Sequence, residues 1–147
     1  MIETGAFYNI ADLELIDLSH NRISHLSRQV FAPVLYKLRT LKLNNNKLTS
    51  LANEFFEKLP SLREINLANN RLQTLPSISG SVGTVGLAQV LLIANNPWDC
   101  RCRLTWLLDE PMDGVRLIAD EPKCVQPAQV KGDALFTGLQ IVRDTFC

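Results

Sequence analysis

Residues 38–48 read Leu38-Arg39-Thr40-Leu41-Lys42-Leu43-Asn44-Asn45-Asn46-Lys47-Leu48. Leucines at 38, 41, 43 and 48, with Asn46 between the last two, give the spacing L-x-x-L-x-L-x-x-N-x-L. The spacing recurs upstream as Leu13, Ile16, Leu18, Asn21 and Ile23, and downstream as Leu62, Ile65, Leu67, Asn70 and Leu72. A fourth copy runs from Ala88 through Leu91, Ile93 and Asn96 before Pro97 interrupts it. The copies start at 13, 38, 62 and 88, so the steps are 25, 24 and 26 residues. A period of that size marks stacked structural repeats.

The spacing itself is the signature of the leucine-rich repeat. Apolar fourth and sixth positions flanking one variable residue give the alternation of a short strand with one buried face. The ninth-position asparagines, Asn21, Asn46, Asn70 and Asn96, suit the turn after the strand, because a short amide bonds backbone groups left unpaired by the bend. They are expected to stack as a ladder. Phe31 and Phe56, at the nineteenth position, supply the second buried row, and Phe7 stands at the equivalent place before the first full copy. No coil buries its own leucines, so at least three must share a core. The expected fold is an α/β solenoid with a parallel concave sheet of about four short strands and an irregular convex side.

Composition narrows the function. Fifteen basic residues balance 15 acidic ones among 147, which argues against a nucleic-acid partner. The longest apolar run, Val90 to Ala94, is far short of the roughly 20 residues that cross a bilayer, so no membrane insertion by this chain is expected. Met1-Ile2-Glu3-Thr4-Gly5 has neither the basic start nor the apolar run of a signal peptide. His20 and His25 lack a nucleophile at an activating spacing, and Gly80, Gly83 and Gly86 lack the strand and helix that a phosphate loop needs. No catalytic residue, metal or cofactor is therefore assigned, and the expectation is a non-enzyme.

The chain divides into repeats over 1–96 (partial at 1–12, then 13–37, 38–61, 62–87 and partial at 88–96) and a different texture over 97–147. Residues 1–12 resemble the second half of a coil, so an uncovered N-terminal end is expected, and with it a fragment of a longer chain. Residues 77–86 are rich in Gly and Ser and lack the expected Phe; they favour a loop, with Ile78, Val82 and Val85 filling in for the ring. Leu104, Leu107 and Leu108 fall at helical spacing beside Trp106, with Pro111 as a stop, and predict a short amphipathic helix across the end of the core. Trp98 and Trp106 supply apolar area at that seam. All four cysteines, Cys100, Cys102, Cys124 and Cys147, lie in this last third. They lack the paired C-x-x-C knuckles of a zinc site and point to two disulfides in an oxidising compartment. Three pairings are conceivable; Cys100 to Cys102 closes too small a ring, which leaves two.

The run Asn96-Pro97-Trp98-x-Cys100-x-Cys102-x-Leu104-x-Trp106-Leu107, then Cys124-x-x-Pro127-x-x-Val130-x-Gly132-x-x-Leu135, then Cys147, closely resembles the cysteine-rich cap that closes the C-terminal end of extracellular leucine-rich-repeat proteins. Axon-guidance, adhesion and Toll-type ectodomains share this cap. The resemblance implies Cys100 paired with Cys124 and Cys102 with Cys147, and an extracellular location. The N-terminal cysteine cap of the family is absent, and no N-x-S/T sequon occurs.

In such solenoids the strand residues that face away from the core line the recognition surface. By the template these are Leu15, Asp17, Ser19 and His20; Thr40, Lys42, Asn44 and Asn45; Glu64, Asn66, Ala68 and Asn69; Val90, Leu92, Ala94 and Asn95. The polar members, Asp17, Ser19, His20, Thr40, Lys42, Asn44, Asn45, Glu64, Asn66 and Asn69, are the binding candidates. Asp17 and Lys42 stand as charged neighbours, and Val90 with Leu92 is expected to lie under the cap. Arg22, Lys47 and Arg71 form an aligned basic column that could touch an acidic glycan. The expected function is protein–protein recognition by a secreted or cell-surface protein. The alternative is a structural terminus and spacer whose ligand sits on other repeats. Self-association through the open N-terminal end is the remaining partner expectation.

Overall fold

The computed structural model describes residues 2–3, 5–7, 9–10, 12–27, 29–31, 34–76, 90–109, 120–147 and the backbone of 117–118. Ile78, Val82, Val85, the three clustered glycines and Pro111 lie outside the described residues.

Four strands of three residues carry the alternating positions: β1 (Leu15–Asp17), β2 (Thr40–Lys42), β3 (Glu64–Asn66) and β4 (Val90–Leu92). They pair in parallel and in step, Ile16 beside Leu41, Leu41 beside Ile65 and Ile65 beside Leu91. A second, two-stranded sheet joins β5 (Trp98–Asp99) to β7 (Cys124–Gln126) in parallel. Between those two in sequence, β6 (Leu117–Ile118) returns to the first sheet from beyond the repeats, so its order is β1-β2-β3-β4-β6.

One continuous core runs the length of the stack. Leu38, Leu41, Leu43, Leu48, Leu62, Ile65, Leu67, Leu72 and Ile93 are wholly buried. At roughly 1.5–3 kcal/mol for each side chain removed from water, this column dominates the stability of the repeats. On the convex side Phe31 stacks on Phe7 and meets Phe55 edge-on, each pair with centroids 5.7 Å apart, and Phe55 meets Phe56 at 5.3 Å. Phe31 and Phe56 are both buried. The ring in contact with Phe31 is nevertheless Phe55, because a one-turn 3-10 helix (Phe56–Lys58) begins there and turns both rings inward.

The asparagines tie each coil to the one before it. Asn46 Nδ2 donates to Leu18 O at 2.9 Å and Leu43 O at 3.0 Å, and its Oδ1 accepts Ile23 N–H at 3.0 Å. Asn70 repeats this with Leu43 O, Leu67 O and Leu48 N–H, and Asn96 with Leu67 O, Ile93 O and Leu72 N–H. Asn21 departs from the expected ladder: it is exposed and donates only to Leu18 O and Ser19 O of its own coil. An asparagine of this ladder bonds toward the preceding coil, and among the described residues no strand pairs with the outer side of β1.

The short helix that the leucine spacing predicts in the C-terminal part is present, with Leu104 and Leu107 buried, but it is of the 3-10 kind. Cys102–Leu108 is a 3-10 helix, and the only α-helix among the described residues is α1 (Leu135–Phe146). Leu135, Leu139 and Val142 bury one face of α1, which packs against that 3-10 helix and the 3-10 turn Ala128–Val130. Trp98 is wholly buried and its Nε1 donates to Ile93 O at 2.8 Å, locking the last coil to the start of the cysteine-rich segment; Trp106 is only partly buried. Cys100 is bonded to Cys124 and Cys102 to Cys147.

Candidate functional site

Strands β1 to β4 each offer their first and third residues to the concave side. Register aligns Leu15, Thr40, Glu64 and Val90 in one column, and Asp17, Lys42, Asn66 and Leu92 in the next. Thr40, Lys42, Glu64, Asn66, Val90 and Leu92 are half-buried, whereas Asp17 and Leu15 at the outer edge are exposed.

The other predicted face residues lie beyond the strands. Ser19, Asn44, Ala68 and Ala94 occupy the turn after each strand, all half-buried. The next residue, His20, Asn45, Asn69 or Asn95, takes a left-handed backbone with φ of 56° or 57°. His20 is therefore a turn residue and not a strand residue as the template suggests. Asparagine tolerates that region best among residues with a side chain, which explains three of the four.

The charged pair expected from the sequence is adjacent but not bonded. Asp17 Oδ1 accepts the Ser19 N–H at 3.0 Å and the Ser19 hydroxyl at 2.6 Å. These bonds hold the Asp17 carboxyl below its ordinary pKa, with Lys42 and His20 adding smaller charge contributions. Asp17 thus caps its own turn. Asn66 does the same in the third coil, its Oδ1 accepting Ala68 N–H at 3.1 Å.

At the other end the face closes. Strand β6 pairs along β4, and Asp120, two residues beyond it, sends Oδ2 to Ala94 N–H at 2.6 Å. Arg22, Lys47 and Arg71 are exposed and form no ion pair among the described residues, whose salt bridges are Lys37–Asp12, Arg101–Asp99 and Arg143–Asp109. No metal-binding cluster occurs among the described residues, and none of their helices is long and apolar enough to cross a membrane.

The comparisons with known proteins agree with this architecture. Leucine-rich-repeat family profiles match residues 12–33 and 36–83. Trophoblast glycoprotein of Macaca fascicularis is 34% identical over 84% of this chain, Toll-like receptor 9 of Mus musculus 30% over 86%, and mouse vasorin 38% over 71%. The chain belongs to the extracellular leucine-rich-repeat proteins. It spans 29%, 12% and 15% of the lengths of those three relatives. A chain in a solved octameric complex of Latrophilin 3, Unc5D and FLRT2 superposes with a TM-score of 0.73 over 91% of this chain and 40% of that one. At 24% identity that likeness speaks for the fold alone. The surface such a leucine-rich-repeat segment presents has the geometry of the stacked turns described above.

The sequence reading missed β6, Asp120 and α1. For α1 a signal existed: Leu135, Leu139 and Val142 stand at i, i+4 and i+7, one face of a helix. For β6 there was none, since two residues carry no periodicity.

Proposed function

We propose that this chain recognises a protein partner through its concave face, as a non-enzymatic module of a secreted or cell-surface adhesion, guidance or receptor protein. The observation that supports this reading most is the parallel register, which sets Thr40, Lys42, Glu64 and Asn66 side by side, half-buried and backed by a wholly buried leucine column. The contact surface is centred on the first three coils, because β6 and Asp120 occupy the far end of the sheet. Asp17, Ser19, His20, Asn44, Asn45 and Asn69 make its turn-side rim. Five strands at about 4.8 Å spacing give a ribbon about 20 Å across, and a standard interface takes about 800 Å² from each partner. The chain then supplies part of a recognition surface.

The test is binding of the purified chain to an array of extracellular ectodomains. Substituting Lys42→Glu with Asn66→Lys, which alters the face and leaves the core alone, should weaken a captured partner tenfold or more. Glu54→Lys with Glu57→Lys, on the convex side, should not. Equal binding by all three proteins would sink the reading.

A further inference from the structure

We propose that the turn from Lys42 to Asn44 is a binding site for a carboxylate, the side chain of an aspartate or glutamate on a protein partner laid across the concave face. The proposal rests on the concave-face reading and names the chemistry of its centre.

In every coil the backbone leaves the sheet through the left-handed residue described above, and the amide just before it needs an acceptor. The first coil supplies Asp17 Oδ1 to Ser19 N–H, and the third supplies Asn66 Oδ1 to Ala68 N–H. Leu92 of the fourth coil has no acceptor to offer, and there a carboxylate arrives from another segment, Asp120 Oδ2 to Ala94 N–H. The second coil differs from all of these. Its residue at that place is Lys42, which only donates, and among the described residues no hydrogen bond reaches the Asn44 N–H. Asn44 Oδ1 is also buried without a partner among them. Lys42 is in none of their ion pairs.

Two unspent groups therefore meet at one turn, a backbone donor and a cation. A carboxylate takes both at once, as Asp120 takes the equivalent amide of the fourth coil, and charge-assisted bonds of this kind are roughly twice as strong as neutral ones. The third coil fills the side from which Asp120 reaches Ala94, since Leu43 N–H and Asn45 N–H donate to Asn66 O and Ala68 O, so a carboxylate reaches the Asn44 amide from the concave face, where Asp17 Oδ1 caps the equivalent amide of the first coil. Asp17 is the acidic neighbour on one side, but its Oδ1 is engaged by Ser19; Asn66 on the other side is neutral. Asn44 Oδ1, being buried, lies out of a partner's reach and takes no part in the contact. The half-buried row of Thr40, Lys42, Glu64 and Asn66 around the turn is what a side-chain carboxylate on a protein meets and a free anion does not.

The experiment titrates the isotope-labelled chain with the blocked tripeptide acetyl-Gly-Asp-Gly-amide, with its Asn analogue and with inorganic phosphate, reading amide shifts by NMR. The expected result is a saturable downfield movement of the Asn44 amide with the Asp peptide alone, larger than at Ser19, Ala68 or Ala94, whose amides are already bonded. Lys42→Met should lower that affinity about tenfold. Lys42→Asp should move the Asn44 amide downfield with no peptide present and abolish the response, by building in the cap of the first coil. An unmoved Asn44 amide, an equal response to the Asn peptide or to phosphate, or an unchanged Asn44 shift in Lys42→Asp would overturn the site. Peptide shifts confined to Thr40, Glu64 and Asn66 would overturn it while leaving the concave-face reading intact. Convex-side dependence of ectodomain binding would remove that reading instead.

Discussion

Asn70 and Asn21 occupy the same place in the template and do different physical work. Asn70 is buried, accepts the Leu48 N–H and donates to carbonyls of two coils; Asn21 is exposed and bonds only within its own turn. Replacing Asn70 by Ala strands a buried N–H and removes the bridge to Leu43 O, at about 1–3 kcal/mol for each orphaned group. We expect Asn70→Ala to cost about 3 kcal/mol in denaturant unfolding and Asn21→Ala less than about 1 kcal/mol. Equal losses would show that the ladder is not what joins the coils. Asp17 allows a second prediction at this scale. Its folded pKa is depressed, chiefly by Ser19, so the stabilisation it gives is complete above the ordinary carboxylate pKa of about 3.9 and is lost as pH falls through the depressed value. In Ser19→Ala a carboxyl-detected titration should show Asp17 moving up toward the ordinary range, with a smaller acid-side loss. The ladder positions were legible in the sequence because asparagine recurs at a fixed step. The isolation of Asn21 was not, since a repeat pattern does not encode what stacks against its first copy.

Helix α1 shows why an element can escape a sequence reading that finds the repeats at once. It has no side-chain cap at Ala134, and its interior includes Thr137, Gly138, Ile141, Val142 and Thr145, all weak helix formers. Its existence comes from tertiary contact: Leu135, Leu139 and Val142 bury against the 3-10 helix, and Arg143 reaches Asp109 at 2.8 Å. Gly138 is the residue that permits the approach. A Cβ there would run into Cys124 Sγ and lie 3.4 Å from Val130 Cβ. Intrinsic propensity favours alanine over glycine in a helix by about 1 kcal/mol, while overpacking a tight contact costs about 1–3 kcal/mol. Because the obstacle is a sulfur held in a disulfide, we expect packing to win, and Gly138→Ala to lower the thermal midpoint. The exposed Thr137→Ala should leave it level or raise it. A more stable Gly138→Ala protein would mean that α1 is not seated on that bridge. The concave face was legible in part for a related reason: alternation gave Thr40, Lys42, Glu64 and Asn66, but the turn-side residues needed coordinates, because caps such as Asp17 on Ser19 and Asp120 on Ala94 combine local and distant partners.

For the whole molecule the question is what shuts the far end of the stack, and the two disulfides divide that task unequally. Chain entropy alone ranks them by loop length: separations of 24 and 45 residues correspond to about 3.5 and about 4 kcal/mol, the longer loop gaining slightly more. Burial reverses the order. Cys100 and Cys124 are wholly buried, Cys124 lies against Gly138, and the bridge sits where β5 pairs with β7, just after Trp98 plugs the last coil. Cys102 and Cys147 are exposed, and pin only the start of the 3-10 helix to the end of α1. Removing the inner bridge adds a packing loss of about 1 kcal/mol or more to the entropic one, which outweighs the roughly half a kcal/mol that separates the loops. The double variant Cys100→Ala with Cys124→Ala should therefore unfold at lower denaturant than Cys102→Ser with Cys147→Ser. In the intact protein a mild reductant should open the outer bridge first, as thiol labelling at Cys102 and Cys147 before Cys100 and Cys124. With the outer bridge open, the amides of Leu72 and Leu67, bonded to Asn96 Oδ1 and Leu92 O, should keep their protection against hydrogen exchange, because Trp98, the inner bridge and the Asn96 bonds still close the last coil. Loss of protection at Leu72 upon outer-bridge reduction alone would show that α1, and not the Trp98 plug, is the true lid of the core.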